Sequence, residues 1–159
     1  FDPSISEDWH FSSGGWDAFL SKFDSLGNFL WAETWGGNLI DIGWGVESDE
    51  TGKVYVTGQF SGAVDFDPGP SEFWRNSNGN IDVFISKFDS SGNFQWARTW
   101  GGGGQDAGYG VTVSILESIY VTGPFDSAVD FDPGPNEDWH SSNGFWDVFL
   151  CKLNPDGDW

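Results

Sequence analysis

The chain has 159 residues, a formal net charge of -19 and a sequence pI near 4.1. Binding to nucleic acid or to an anionic membrane is disfavoured, because phosphate contacts need clustered Lys and Arg and only six are present. Cations are the expected counterpart of this acidic surface, although the same charge also keeps an aromatic-rich protein soluble. Eleven Trp, fifteen Phe and twenty-three Gly predict short strands and tight turns.

A repeat of 65 residues organises the chain. The stretch VDFDPGP at residues 64–70 returns at residues 129–135, and the chain opens on the matching Phe1-Asp2-Pro3. About two and a half copies are present, which is typical of a repeat architecture. Three matching stretches rich in Pro, Gly, Ser and Asn predict long connections with one anchoring aromatic side chain each. They are residues 1–14 with Trp9, 66–79 with Trp74, and 131–144 with Trp139.

Four short strands are predicted in each repeat. These strands are marked by alternating apolar and polar residues and by aromatic pairs. The turns that join them begin with Asp or Asn and contain Gly. A glycine-rich bend is predicted at residues 36–37 and 101–104, after the strand that carries aromatic side chains on both faces. The predicted strands are residues 16–23, 29–35, 43–46 and 54–58, with copies at 81–88, 94–100, 108–111, 119–123 and 146–153.

Four short strands joined by tight turns describe one blade of a β-propeller. A β-solenoid is the main alternative, but its coils usually repeat every 20 to 30 residues, roughly. The order Gly-x-Gly-Val, Val-Tyr-Val-Thr-Gly and Asp-x-Phe-x-x-Lys-Phe-Asp-x-x-Gly-Asn-Phe-x-Trp-Ala resembles the SBBP family of β-propeller repeats, a relative of NHL-type propellers. The resemblance implies an all-β fold of four-stranded antiparallel blades in large secreted or surface-attached bacterial proteins, without a common catalytic set.

In that framework the chain comprises a partial blade at residues 1–36, a full blade at 43–101 and a nearly complete blade at 108–159. Closed propellers typically have at least about four blades. We therefore expect the chain to be part of a longer propeller, or a subunit whose open edges pair with other copies.

The Asp-Phe-Asp-Pro-Gly loop is the strongest candidate for a metal site. Asp65 with Asp67, and Asp130 with Asp132, stand two residues apart, so their carboxylates meet only if the Pro-Gly turn curls the loop. Ca²⁺ accepts carboxylate oxygens together with carbonyl oxygens of a turn. The alternative is that one Asp of each pair accepts backbone N–H groups and holds the connection in place.

The tryptophans of the long connections are candidates for ligand binding. Each precedes a hydrogen-bonding side chain, which makes it a platform for a sugar ring; the alternative is that it caps the blade below. The pairs are Trp9-His10, Trp74-Arg75 and Trp139-His140.

Five further acids recur at junctions between turns and strands. Asp17, Asp82 and Asp147 stand at the start of a strand, and Asp41 and Asp106 precede the inner strand. Their recurrence predicts backbone caps, with acids that line a central tunnel as the functional alternative.

The single cysteine, Cys151, excludes an internal disulfide and a Cys-based metal cluster. It takes the repeat position of Ser21 and Ser86, which predicts a small packed side chain. The sequence contains no nucleophile elbow, zinc-protease motif or P-loop, and nearly every acid belongs to the repeat pattern. We therefore expect a protein without enzymatic activity.

The expected function is that of an extracellular structural or adhesive propeller module, secreted or on a bacterial surface, which assembles into a ring or fibre. A carbohydrate-binding propeller is the alternative, and a propeller hydrolase or lyase is a third option. Expected partners are other copies or further blades, and glycans, with neither nucleic acid nor membrane insertion. Ca²⁺ is the one expected cofactor.

Overall fold

The computed structural model describes residues 1–4 and 7–159, so residues 5 and 6 of the first predicted connection lie outside the described residues. Within the described residues the chain forms three antiparallel sheets from thirteen strands and contains no helix. The strands in chain order are β1 (Ala18–Phe23), β2 (Phe29–Gly37), β3 (Ile42–Ser48), β4 (Val54–Phe60), β5 (Ala63–Asp65), β6 (Trp74–Asn76), β7 (Asp82–Phe88), β8 (Phe94–Gly102), β9 (Gly110–Val113), β10 (Ile119–Phe125), β11 (Ala128–Asp130), β12 (Trp139–Ser141) and β13 (Asp147–Leu153).

The full blade predicted at residues 43–101 is formed by β3, β4, β7 and β8, which pair in that order. Asp and Gly close its tight turns. In the turn between β3 and β4, one Asp49 carboxylate oxygen accepts N–H bonds from Thr51 and Lys53, and Gly52 adopts a φ of 83°. Because Gly has no Cβ, it takes this left-handed conformation without steric cost. The turn chemistry predicted from the sequence is therefore confirmed.

The partial blades repeat subsets of the same strands. β1 and β2 correspond to β7 and β8, and the strands β9, β10 and β13 correspond to β3, β4 and β7. A threonine makes the same bond between strands in the stretch Val54–Gly58 and in its copy Ile119–Gly123. The Thr57 hydroxyl donates to the Phe84 carbonyl at 2.7 Å, and Thr122 donates to Phe149 at the same distance.

The long connections contain two short hairpins that were not predicted from the sequence. β5 pairs with β6, and β5 also adds to the end of β2, the outer strand of the preceding blade. The second copy is the same, because β11 pairs with β12 and with the end of β8. The prediction of connections without strands was therefore wrong for these residues. Each connection closes part of the outer edge of the blade before it.

The predicted glycine-rich bend was also wrong at its first two residues. Gly36 and Gly37 are the last residues of β2, and Gly101 and Gly102 are the last residues of β8. A Cβ on Gly37 would collide with the carbonyl of Ala63 in β5, so glycine permits the hairpin to approach the outer strand.

Two hydrophobic cores lie between successive blades, and they use equivalent residues. The front face of a blade is defined by Val83 and Ile85 in the central blade, and the back face by Phe84 and Phe88. The front face of β1 and β2, with Ala18 and Trp35, packs on the back face of the central blade. The front face of the central blade packs on the back face of the last sheet, where Phe149, Cys151 and Leu153 take the positions of Phe84, Ser86 and Phe88.

Polar contacts join the blades at the rim. The Lys22 ammonium donates to the Ser90 carbonyl in the next blade, and Lys87 donates to the Pro155 carbonyl, each at 2.8 Å. The indoles of two tryptophans pack against the glycines of the same turns. A Cβ added to the glycine would lie 3.0 Å from the indole in the first turn and 3.1 Å from it in the second. These are Trp31 on Gly92 and Trp96 on Gly157.

Candidate functional site

The curled Asp-Phe-Asp-Pro-Gly loop follows β5 in one copy and β11 in the other. One oxygen of Asp65 accepts N–H bonds from Asp67 at 3.1 Å and Phe73 at 2.8 Å. Asp67 in turn accepts the N–H of Gly69 at 2.8 Å. Both carboxylates therefore hold the backbone of the loop, because Asp side chains satisfy N–H groups that a turn leaves without strand partners.

The second copy of the loop has the same bonds. Asp130 accepts from Asp132 at 3.2 Å and from Asp138 at 2.7 Å, and Asp132 accepts from Gly134 at 2.7 Å. The residues that the structure describes include no group of three or more His, Cys, Asp or Glu arranged to hold a metal ion. Calcium binding at the Asp pairs stays a prediction.

The hairpins bring the candidate metal and ligand residues together. Trp74 lies opposite Asp65 in the pairing of β5 with β6, and Trp139 lies opposite Asp130 in β11 and β12. Opposite residues of an antiparallel pair project from the same face of the sheet. Trp74, Trp139 and Trp9 are each at least half exposed. Exposure of this extent leaves an aromatic surface open to solvent beside an acidic loop.

The side chains that follow the tryptophans have different partners. The His10 ring contacts the Thr34 hydroxyl and the Asp8 carboxylate, each at 3.2 Å, whereas the Arg75 guanidinium lies 3.9 Å from the centre of the Phe73 ring. His140 is 3.2 Å from Asp138. The second side chain of the predicted platform thus has a contact within two residues in all three copies, and His10 also contacts Thr34 on β2.

The recurring acids at the strand starts are backbone caps, as the sequence predicted. Asp17, Asp82 and Asp147 accept the N–H of the residue four positions earlier, at 2.6, 2.8 and 2.9 Å. Asp41 accepts N–H bonds from Gly37 and Ser61, and Asp106 from the equivalent Gly102 and Asp126. These bonds tie the end of one blade to the strands of the next.

Two of these acids lie together in the interior of the chain. Asp82 and Asp106 are almost completely buried, and burial raises the pKa of Asp82 to about 6, to which the nearby Asp106 adds. Burial also raises the pKa of Asp106 and of Asp41. One oxygen of Asp82 has no hydrogen-bond partner within residues 1–4 and 7–159. Asp82 is therefore partly protonated in mildly acidic solution.

Glu33 is an acid outside the repeat pattern, since Arg98 takes its position in the next copy. It lies on β2, an outer strand. Burial raises the pKa of Glu33, the nearby His10 opposes this effect, and Asp8 and Asp67 reinforce it. Glu33 therefore belongs to an acidic group at the rim of the first sheet and not to an inner strand.

Cys151 is buried, as predicted for a small packed side chain. Burial, together with the negative charge of Asp138, raises its pKa to about 12, so the thiol stays protonated at neutral pH.

The lysines that join the blades, Lys22 and Lys87, were not predicted from the sequence. The sequence did contain a signal for these lysines, because a lysine interrupts the apolar pattern at the same place in each repeat.

Among the described residues, no helix is long and apolar enough to cross a membrane.

Two curated proteins have sequences similar to this chain. A WD repeat-containing protein of Acanthamoeba polyphaga mimivirus is 27% identical over 119 residues, which cover 73% of this chain and 9% of that protein. The regulatory protein FlaEY of Caulobacter vibrioides is 28% identical over 144 residues, which cover 89% of this chain and 14% of that protein. No protein-family profile matches the chain. The chain spans less than a sixth of the length of these curated relatives.

Proposed function

We propose that the chain is a non-catalytic structural module of a larger extracellular propeller of the SBBP type, on or released from a bacterial surface. The observation that carries this proposal is the equivalence of the two cores between blades. Ala18 and Val83 occupy one side of successive cores, and Phe84 and Phe149 occupy the other. Such nearest-neighbour stacking is the property that stabilises repeat proteins.

Two further observations support a structural role. The recurring acids are engaged by backbone N–H groups, so their positions are explained by folding. Similarity to a WD repeat-containing protein also supports a propeller module, because WD repeats form propeller blades.

The test changes the number of blades while it keeps the register. One variant carries a second copy of residues 80–144 directly after residue 144, and another lacks residues 80–144. We expect the urea midpoint to rise in the first variant and to fall in the second, because each inserted repeat adds one core between blades. The measurement is unfolding followed by tryptophan fluorescence.

The control for added length is a variant in which the second copy of residues 80–144 is inserted after residue 112. In this variant the inserted copy starts and ends in the wrong register. It should not raise the midpoint. Equal midpoints for the in-register duplication, the deletion and the parent chain would contradict the proposal, because they would mean that the blades are independent.

We also propose that the Asp pairs of the two loops, Asp65 with Asp67 and Asp130 with Asp132, bind Ca²⁺. The net charge of -19 and the curled loops, in which Gly69 and Gly134 are exposed, support it. Ca²⁺ in excess over a chelator should raise the melting temperature, because an ion that binds the native state stabilises it. Asp67→Asn combined with Asp132→Asn should abolish the shift, whereas Asp24→Asn, in a hairpin turn, should preserve it. An unchanged melting temperature in the parent chain would refute calcium binding.

Carbohydrate binding is a second candidate function, favoured by the exposure of Trp9, Trp74 and Trp139 and by the acidic residues opposite Trp74 and Trp139. A glycan array should identify a ligand, and Trp74→Ala should weaken its binding about two- to twelvefold, because aromatic stacking contributes about 0.5 to 1.5 kcal/mol. Trp44→Ala is the matched control, since Trp44 is equally exposed but lies on an inner strand. Equal binding by both variants, or no ligand on the array, would exclude this function.

A further inference from the structure

The two terminal sheets expose surfaces that are buried in the central blade. On the front face, Val83 and Ile85 are 0% exposed, whereas their equivalents in the last sheet, Val148 and Leu150, are 77% and 71% exposed. On the back face, Phe84 is 0% exposed, whereas its equivalent Phe19 in the first sheet is 56% exposed. Each end of the molecule thus presents one half of an interface that is complete inside the chain.

The internal interfaces show which surface of the repeat is complementary to each of these faces. Wherever a front face of this repeat is buried, it lies on the back face of another copy of the repeat. The exposed front face belongs to the last sheet and the exposed back face to the first sheet. The exposed front face is therefore complementary to the exposed back face, and neither face is complementary to a second copy of itself.

We propose that the front face of the last sheet binds the back face of the first sheet in a second copy of this chain. This inference rests on the proposed structural function and names the partner and the polarity of its assembly. The contact is heterologous, because different surfaces of the two copies meet, and such contacts form open chains or closed rings.

The polar contacts at the rim specify the register of this contact. Lys22 and Lys87 each donate to a carbonyl in the hairpin turn of the following blade, at Ser90 and Pro155. Lys152 is the next lysine of this series and is exposed. Ser25 holds the turn position of Ser90 and Pro155. In the assembled pair, Lys152 of one copy donates to the Ser25 carbonyl of the other.

The acceptor turn has space for such a partner. Gly92 and Gly157 lie against the indoles of Trp31 and Trp96 from the preceding blade. At the equivalent glycine, Gly27, an added Cβ would meet no atom of the described residues within 4 Å. The turn at residues 24–28 is therefore open on the side from which a preceding blade approaches.

The association is expected to be weak and to depend on salt. Each terminal sheet offers only some of the strands that form an internal interface, and each copy carries a charge of -19. Salt screens the repulsion between the copies, so the apparent mass should increase with both protein concentration and ionic strength. Sedimentation velocity of the full chain from about 10 µM to 1 mM measures this increase. A 17.5 kDa monomer under all these conditions would overturn the proposal.

Two surface variants test the polarity of the contact. Leu150→Glu disrupts the front face, and Phe19→Glu disrupts the back face. Each variant alone should remain monomeric, whereas an equimolar mixture should form a dimer that grows no further, because one intact front face and one intact back face remain. Leu116→Glu, an exposed turn residue outside both faces, should associate as the parent chain does. Circular dichroism verifies that every variant retains its strands.

Every outcome of the mixing experiment is informative. Dimerisation of Phe19→Glu alone would mean that two front faces meet, and dimerisation of Leu150→Glu alone would mean that two back faces meet. Either result would overturn the proposal, as would a monomeric mixture. The in-register duplication of residues 80–144 tests the structural function within a single chain, so it can succeed even if docking of a second copy fails.

Discussion

The central blade and the last sheet are built from nearly the same repeat, yet their equivalent residues have different surroundings. Ile85 on β7 is enclosed by the next blade, whereas Leu150 on β13 faces solvent. Lys87 reaches a carbonyl of the following blade, whereas Lys152 is exposed. The energetic importance of a position is therefore set by its neighbouring blade and not by its local sequence.

Ile85→Ala should give the largest difference between the two regions. It leaves a cavity in a closed core, and we expect a loss of about 2 to 5 kcal/mol in the free energy of unfolding. Leu150→Ala, at the equivalent exposed position, should cost less than about 0.5 kcal/mol. Urea unfolding of dilute protein measures both. Equal losses would mean that the front face of the last sheet is covered within a single chain.

Asp82→Asn should change how stability depends on pH. The native state binds a proton at Asp82 more strongly than the unfolded chain does, because the pKa of Asp82 is raised from 3.8 to about 6. The resulting stabilisation is complete below about pH 4 and is lost as the pH rises through about 6, by about 3 kcal/mol. The Asp82→Asn variant should lack this loss of stability with rising pH. In both proteins the lowered pKa values of Asp24, Asp49 and Asp89 give the opposite trend, because their stabilisation is lost at low pH.

The control for the pH experiment is Asp147→Asn, which alters the equivalent cap in the last sheet. Asp147 is less buried than Asp82 but accepts the same backbone bond. Unfolding midpoints from pH 4 to pH 8 distinguish loss of the bond from loss of the buried charge. A parallel profile for Asp82→Asn and the parent chain would contradict the expected role of Asp82.

Lys87→Met should have a smaller effect. It removes a hydrogen bond to the Pro155 carbonyl and two cation–π contacts, with Tyr55 at 5.2 Å and Trp96 at 5.6 Å. We expect a loss of about 1 to 2 kcal/mol, and almost none for Lys152→Met in dilute protein. Thermal unfolding of the two variants at equal concentration makes the comparison. A stable Lys87→Met variant would mean that apolar packing alone joins the blades.

The smallest effect is predicted for the turn between β9 and β10. Glu117 adopts a φ of 59°, whereas its equivalent in the central blade is Gly52, with a φ of 83°. Glu117→Gly should therefore stabilise the chain by about 0.5 to 1 kcal/mol, and Gly52→Glu should destabilise it by a similar amount or more. Chemical unfolding of both variants tests this. Destabilisation by Glu117→Gly would show that the glutamate side chain has a contact that outweighs its backbone strain.

The sequence predicted the four-stranded blade because each long strand carries its own pattern and ends in a recognisable turn. It did not predict β5 and β11, since three residues such as Ala63–Asp65 contain no periodicity and their partners lie in another blade. The glycines at the ends of β2 and β8 were the available signal. Burial of the carboxylate of Asp82 was also not predictable, because its copies have the same local sequence but fewer neighbours.

The candidate site was predicted in part. The repeat identified the Asp pairs and the exposed tryptophans, but their apposition depends on the pairing of β5 with β6. No local pattern marks a hairpin whose strands are three residues long. In contrast, the backbone caps were predictable because an acid at a strand start has few other local partners.

The pairing of β11 with β8 has a consequence for synthesis on the ribosome. The outer edge of β8 at Gly102 stays unpaired until residues 128–130, about thirty residues later, have been synthesised. At 5 to 20 residues per second, roughly, each newly made blade keeps this edge open for a few seconds. The emerging chain therefore matures with a lag of half a repeat, and a pause in that interval would leave a strand edge available for misassembly.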